Sequence, residues 1–126
     1  MKRFWLGVCL LAVLLALGLM ATVGVRNFCR PLKEQLRQAQ KAALEEEWDR
    51  ALVLQDQCRQ RWQRRRKLCA AITDHGPMEE IDGLFRALEV FGQRRDAVRF
   101  AESCAQLGAW TEAVEEAQAV KWWNVF

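Results

Sequence analysis

Residues 45–69 read EEEWDRALVLQDQCRQRWQRRRKLC, and this stretch decides the fold class of the chain. Residues three and four positions apart share one face of a helix. On a wheel of about 100° per residue, the apolar residues of this stretch cluster within about 80°. The stripe contains Leu44, Trp48, Ala51, Cys58, Trp62 and Cys69, with Gln55 inside it. The pattern predicts a helix over residues 46–71 that buries Trp48, Ala51 and Trp62.

The two ends of this predicted helix carry opposite charge. The segment EEEWD opens it and RQRWQRRRK, residues 59–67, closes it. Acid near the N-terminus and base near the C-terminus is the arrangement that a helix dipole favours. The basic residues surround the helix instead of forming one face, so dipole matching is one interpretation and contact with an anionic membrane or envelope polymer is another. The candidate contact residues are Arg61, Arg64, Arg65 and Lys67.

The overall charge balance argues against nucleic-acid binding. The chain has 19 basic and 16 acidic residues, and Lys2 and Arg3 precede the apolar N-terminal run. The rest of the chain is therefore nearly neutral, whereas a nucleic-acid-binding domain usually has a basic excess or one strongly basic face. We expect no nucleic-acid partner.

An uncharged apolar run, FWLGVCLLAVLLALGLMATVGV, occupies residues 4–25. As a helix it is about 33 Å long, enough to cross a hydrocarbon core of about 30 Å. We predict a transmembrane signal anchor over residues 4–25, with residues 1–3 in the cytoplasm and residues 26–126 outside it. A cleaved signal sequence is the alternative. The numbers of basic residues on the two sides of the run are nearly equal, so the positive-inside rule hardly favours either orientation.

The remaining residues predict more helices and no strand. Pro31 suits the first turn of a helix, TDHGP at 73–77 separates two helices, and Gly92 with Asp96 indicates a helix end, a short turn and a new helix cap. The expected fold is all-α, an N-terminal transmembrane helix followed by a small antiparallel bundle of about four helices. The predicted helices are 31–45, 46–71, 77–91 and 96–121. The predicted core consists of Trp48, Ala51, Trp62, Ile81, Leu84, Phe85 and Leu88.

The order of these motifs resembles the bacterial family called domain of unknown function 4363, found in Firmicutes. The resemblance rests on EEEWDRALVLQDQCRQRWQ, ITDHGPMEEIDGLF and the closing WWNVF. It carries the family pattern onto Trp48, Ala51, Trp62, Asp74, His75, Ile81, Asp82 and Asn124. It implies a small membrane-anchored helical protein and brings no known activity. The W-x-x-A element also resembles tetratricopeptide-like hairpins, which favours a turn near residues 45–47.

Few polar residues suggest a site. His75 is the single histidine, and hydrogen bonding within the 73–77 turn is the favoured explanation for it; it remains a candidate because it belongs to the motif that carries the resemblance. Trp122 and Trp123, with Asn124, either seal the bundle or contact a membrane interface or partner.

The five cysteines have no CxxC spacing, so we expect no metal. We find no phosphate loop, nucleophile elbow or HExxH motif, and therefore expect neither a cofactor nor an enzyme.

These observations leave two hypotheses about function. The first is a membrane-anchored, non-enzymatic helical interaction module of the bacterial cell envelope that docks another membrane or envelope protein. The second is an envelope-facing binder of anionic lipid or polymer through the basic helix end, residues 59–67. Ionic strength separates the two hypotheses, because binding through exposed charges weakens with salt.

Overall fold

The computed structural model describes residues 1–72 and 75–125, except for the side chains of residues 21, 22, 25, 68–72, 75 and 118–125. The described residues form four helices and no strand, so the prediction of an all-helical chain with an apolar N-terminal helix is confirmed. The helices are α1, Lys2–Leu44; α2, Trp48–Ile72; α3, His75–Gln93; and α4, Ala97–Val125.

The apolar N-terminal run and the first bundle helix form one continuous helix. We predicted a separate helix starting at residue 31, but α1 runs unbroken from Lys2 to Leu44 with Pro31 inside it. An internal proline costs a helix about 3 kcal/mol. Leu32 and Leu36, which follow it, are each 1% exposed. Burying each such side chain stabilises by about 1.5 to 3 kcal/mol, so packing offsets the proline.

The turn predicted near residues 45–47 is present and has a defined hydrogen-bond pattern. Glu46 adopts a left-handed backbone conformation with φ 60°. Its N–H donates to the carbonyl of Ala43 at 3.1 Å, and the N–H of Glu47 donates to that of Ala42 at 2.8 Å. This pair of bonds is a Schellman motif, which satisfies carbonyls that a helix end leaves free.

The turn between α3 and α4 repeats this motif, with one correction. We predicted Gly92 as the C-terminal glycine, but Arg95 takes the left-handed position with φ 54°. The N–H of Asp96 donates to the carbonyl of Phe91 at 3.0 Å, as the motif requires. Asp96 then caps α4, because its carboxylate accepts from the N–H of Arg99 at 3.3 Å.

Gly92 has a packing role instead of a conformational one. It is buried, and a Cβ atom built on it would lie 2.8 Å from Leu52 Cδ2, 3.2 Å from Gln55 Oε1 and 3.3 Å from Phe100 Cε2. The absent side chain therefore lets α3 approach both α2 and α4.

The four helices form an antiparallel bundle in which each packs on the next and α4 packs on α1. The α1–α2 and α3–α4 turns lie together at one end, which we call the distal end. The opposite end, from which the apolar part of α1 extends, is the proximal end. An edge-to-face contact joins Trp48 of α2 to Phe100 of α4, with ring centroids 5.6 Å apart.

The core lies between the helices along the whole bundle. Of the predicted core residues, Leu84 is partly buried against the core and the other six are buried: Trp48, Ala51, Trp62, Ile81, Phe85 and Leu88. The largest buried side chains of α1 and α4 include Leu32, Leu36, Phe100 and Leu107. Gln55 is buried within the α2 stripe, as its place in the sequence pattern suggests.

The N-terminal part of α1 stands apart from this core. Residues Lys2–Met20 are long and apolar enough to cross a membrane, and nearly all of their side chains are exposed. A signal sequence close to the N-terminus has the same length and composition.

Candidate anionic-ligand groove

The basic end of α2 faces two different neighbours. On the α3 side, Trp62 and Arg66 both bind the carboxylate of Asp82. The indole Nε1–H of Trp62 donates to Oδ1 at 2.8 Å, and Arg66 Nε donates to Oδ2 at 2.9 Å. Arg66 also makes a 2.8 Å ion pair with the same oxygen. One carboxylate thus holds a buried tryptophan and an exposed arginine against α3.

The protonation of Asp82 reflects these contacts. Burial alone would raise the pKa of this carboxyl, but the hydrogen bonds from Arg66 and Trp62, together with the charges of Arg66 and Arg86, lower it below its usual range. The same contacts raise the pKa of the Arg66 guanidinium, chiefly through its hydrogen bond to Asp82. The pair is therefore charged at neutral pH.

Arg59 is neutralised on the same side of α2. Its guanidinium lies 3.0 Å from Asp56 and 3.9 Å from Glu89 of α3. Two α1 bases near the proximal end are also paired, since Glu115 of α4 lies 3.0 Å from Lys33 and 3.8 Å from Arg26. Ion pairing thus removes these basic residues from the set available to a ligand.

The other arginines of the basic end face α1. Arg61, Arg64 and Arg65 line a groove of about 780 Å³ between α2 and α1. Among the described residues, none of the three has a carboxylate within ion-pair distance. The α1 wall consists of Gly24, Asn27, Phe28 and Gln35, and two glutamines of α2 complete the lining. None of the described residues that line this groove is acidic, and the charged ones among them are all arginines.

Packing between α1 and α2 sets the position of the groove. The ring of Phe28 stacks on Trp62 with centroids 6.5 Å apart and an interplanar angle of 29°. Further along, Gln35 and Gln57 meet through a 3.5 Å hydrogen bond. This register brings Arg64 and Arg65 level with the α1 residues just after the apolar run. The groove therefore ends beside that run.

The remaining candidates from the sequence are placed differently. Lys67 is exposed and does not line the groove. His75 begins α3 at the proximal end, and the helix α4 includes positions 122–124. The side chains of His75, Trp122, Trp123 and Asn124 lie outside the described residues, as does that of Cys69.

The cysteine side chains that the structure describes in the bundle are buried. The side chains of Cys29, Cys58 and Cys104 are each at most 2% exposed. Burial raises the pKa of Cys58 to about 12 against the lowering effect of the Arg61 charge, and burial with the nearby Cys58 raises that of Cys104 to about 12. Within the described part of the chain, no cluster of His, Cys, Asp or Glu could hold a metal ion.

Sequence reasoning missed two features of this region. Asp82 was noted as a member of the motif that carries the resemblance, and not as the partner of Trp62 and Arg66. The signal was the i, i+4 spacing of Trp62 and Arg66, which puts an indole N–H and a guanidinium on one helix side. The division of the arginines between α3 and α1 depends on helix packing, which the spacing alone does not give.

The profile of a family described as a domain of unknown function, DUF4363, matches residues 20–125. The chain belongs to this family. The match covers the end of the apolar run and the entire bundle, and it confirms the family resemblance found in the sequence motifs. No curated protein and no solved structure matches this DUF4363 chain.

Proposed function

We propose that this DUF4363 protein is a single-pass, non-enzymatic module of the bacterial cell membrane that rests its helical bundle on an anionic membrane surface. The observation that carries the proposal is the groove in which Arg61, Arg64 and Arg65, free of carboxylates among the described residues, lie level with the end of the apolar run. The residues 26–126 then lie outside the cytoplasm, and the partner is the membrane itself.

The geometry of α1 supports this placement. If Lys2–Met20 crosses the bilayer, the unbroken helix carries the proximal end of the bundle to the level of the head groups. Each basic residue near an anionic surface gains about 1 kcal/mol. Three arginines that face the same groove, with no ion-pair partner among the described residues, can therefore attract the bundle to the surface, whereas Arg59 is already paired with Asp56 and Glu89.

The length of α4 adds support. Glu115 pairs with Arg26 and Lys33, and α4 continues from there to Val125. Seven residues of helix extend about 10 Å, so position 122 reaches the level of the apolar run. Tryptophan favours the membrane–water boundary, which is consistent with the pair at 122 and 123.

Docking of a second membrane or envelope protein is the other candidate function. The two antiparallel hairpins, which are tetratricopeptide-like in sequence, give it support. Among the side chains that the structure describes, the large apolar ones exposed outside the apolar run lie toward the distal end: Leu44, Val53, Val90 and Val98. A partner held by these apolar groups would remain bound in high salt, whereas the membrane surface would release the bundle.

A depth measurement tests the proposed function. The full chain is placed in nanodiscs of phosphatidylcholine, with or without phosphatidylglycerol, and a fluorescent amino acid replaces Gln63 at the proximal end or Gln93 at the distal end. Both side chains are exposed. Quenching by nitroxides on the head groups should be strong at position 63, increase with phosphatidylglycerol and fall as salt rises from about 50 to about 500 mM.

The matched position reports on the orientation of the bundle. Position 93 lies at the other end of α3, about 27 Å along the helix axis from residue 75, and should be quenched weakly in every disc. Equal quenching at the two positions, or quenching at 63 that ignores lipid charge, would contradict the proposal. Salt-resistant capture of one protein by cross-linking from the native membrane would favour the docking alternative.

A further inference from the structure

We propose that the α1–α2 groove is a binding site for one anionic phospholipid, whose phosphate binds Arg61, Arg64 and Arg65 while its acyl chains lie along the apolar face of α1. This inference rests on the proposed function, which needs only a general attraction to the membrane surface. It adds a stoichiometric site and a chemical class of ligand.

The spacing of the arginines suits a phosphate. Residues three and four positions apart on a helix are neighbours, with Cβ atoms about 5 to 6 Å apart, and Arg61 has this relation to both Arg64 and Arg65. Three guanidinium groups so close repel one another when nothing lies between them. A phosphate relieves that repulsion, and guanidinium groups bind its oxygens through paired, charge-assisted hydrogen bonds.

The size and lining of the groove fit a head group better than a bare ion. Its volume of about 780 Å³ lies within the range of about 300 to 1,000 Å³ typical of small-molecule sites. The amide of Asn27 lies in the same lining and can bond to head-group hydroxyls or ester oxygens. Inorganic phosphate would leave much of this space to water.

The surroundings of the groove favour a lipid over a soluble phosphate. Phe28 gives the wall an apolar surface, and Gly24 leaves open space where a side chain would stand, with nothing within 4 Å of its built Cβ. Beyond Gly24, α1 continues into the exposed apolar residues Val23 and Met20. A ligand with a phosphate at one end and hydrocarbon at the other matches this sequence of surfaces.

The nearby bases provide an internal comparison. Lys67 is at the same end of α2 and is exposed, but it is not part of the groove lining. A membrane surface attracts Lys67 and Arg64 alike, because both lie near the head groups. A built site depends on Arg64 and Arg65 and is indifferent to Lys67.

Titration with defined ligands tests the site. The full chain in a neutral detergent is titrated with short-chain phosphatidylglycerol, and bound lipid is counted by native mass spectrometry. We expect one lipid per chain, with Kd raised about tenfold or more by Arg64→Gln or Arg65→Gln and changed by less than about twofold by Lys67→Gln. Helix content and melting temperature are measured for each variant. Because Arg64 and Arg65 are exposed, replacing either should leave both quantities unchanged.

Two further ligands distinguish the source of the phosphate. Inorganic phosphate and glycerol phosphate should bind at least about tenfold more weakly than the lipid. Binding of inorganic phosphate as tight as that of the lipid would overturn the lipid assignment. Equal loss from Lys67→Gln and Arg64→Gln, or several lipids with no preferred one, would overturn the site. Neither result affects the quenching measurement, which tests the proposed function independently.

Discussion

The indole N–H of Trp62 and the carboxylate of Asp82 form a 2.8 Å hydrogen bond that joins α2 to α3. Trp62 is 3% exposed, and Asp82 is the acceptor of its N–H. The other oxygen of Asp82 binds Arg66, which limits how far the carboxylate can turn. Asp82 therefore holds one side of α2 against α3, while Arg61, Arg64 and Arg65 line the groove between α2 and α1.

Replacement of Asp82 should destabilise the bundle. In Asp82→Ala the buried N–H of Trp62 loses its acceptor, and leaving such a group unsatisfied costs about 1 to 3 kcal/mol. Thermal or denaturant unfolding of the full chain in detergent, followed by circular dichroism, measures the loss. Glu102→Ala is the matched control, because Glu102 is an exposed acid on the outside of α4. A melting temperature equal to that of the parent would show that the N–H finds another acceptor.

The same carboxylate should make stability depend on pH. The pKa of Asp82 is lowered in the folded chain, whereas an unfolded aspartate titrates near pH 4. Its stabilising effect is therefore complete above about pH 4 and is lost as the pH falls through the lower, folded-state pKa. The free energy of unfolding should decline on acidification, and Asp82→Asn should reduce the decline. An unchanged acid slope in Asp82→Asn would assign that slope to other carboxylates.

Gly92 and Gly108 should respond oppositely to alanine. A Cβ at position 92 would meet Leu52, Gln55 and Phe100, and such overpacking typically costs about 1 to 3 kcal/mol. At position 108 nothing lies within 4 Å, so Gly108→Ala should stabilise α4 by about 0.5 to 1 kcal/mol. Parallel urea titrations of the two variants measure both values. A neutral Gly92→Ala would show that Leu52 and Gln55 move aside without cost.

Glycine at position 95 should stabilise the chain. Arg95 holds a left-handed conformation that costs most residues about 1 to 2 kcal/mol, and glycine adopts it freely. After the larger entropy of the unfolded glycine is subtracted, we expect Arg95→Gly to gain about 0.5 to 1 kcal/mol. Arg95→Ala removes the same charge without relieving the backbone, so it should show no gain. Equal stabilities of the two variants would mean that the charge, and not the conformation, governs this position.

Particular residues show which parts of this structure the sequence predicts. The spacing of Trp48, Ala51 and Trp62 predicts a buried face because burial follows helix periodicity directly. Pro31 misled us, since local preference disfavours an internal proline and only the packing of Leu32 and Leu36 reverses it. Arg95 and Gly92 were misassigned for a related reason. Gly92 is required because residues distant in sequence pack closely against it. The left-handed conformation is adopted by Arg95, which has no intrinsic preference for it.

The groove could be predicted only in part from the sequence. Arg61, Arg64, Arg65 and Lys67 were candidates because of their charge, yet charge alone did not separate the first three from Arg59 and Arg66. Their separation depends on Asp82, Glu89 and Phe28, which come from two other helices. A site formed between helices requires the register of those helices, and the register is decided by tertiary packing.

The orientation of the chain in the membrane is the last prediction. We expect the bundle outside the cytoplasm, because Lys2 and Arg3 precede the apolar run and resemble the start of an export signal. A membrane-impermeant maleimide added to intact bacteria should label Arg94→Cys, which is exposed at the distal end, and should label Arg3→Cys only after permeabilisation. The parent chain is labelled in parallel and its signal is subtracted, because Cys9 in the apolar run is exposed while cysteines 29, 58 and 104 are buried. Labelling of Arg3→Cys in intact cells, with Arg94→Cys protected, would place the bundle in the cytoplasm. The arginine groove would then face the inner leaflet, whose anionic lipids would offer it the same phosphate chemistry.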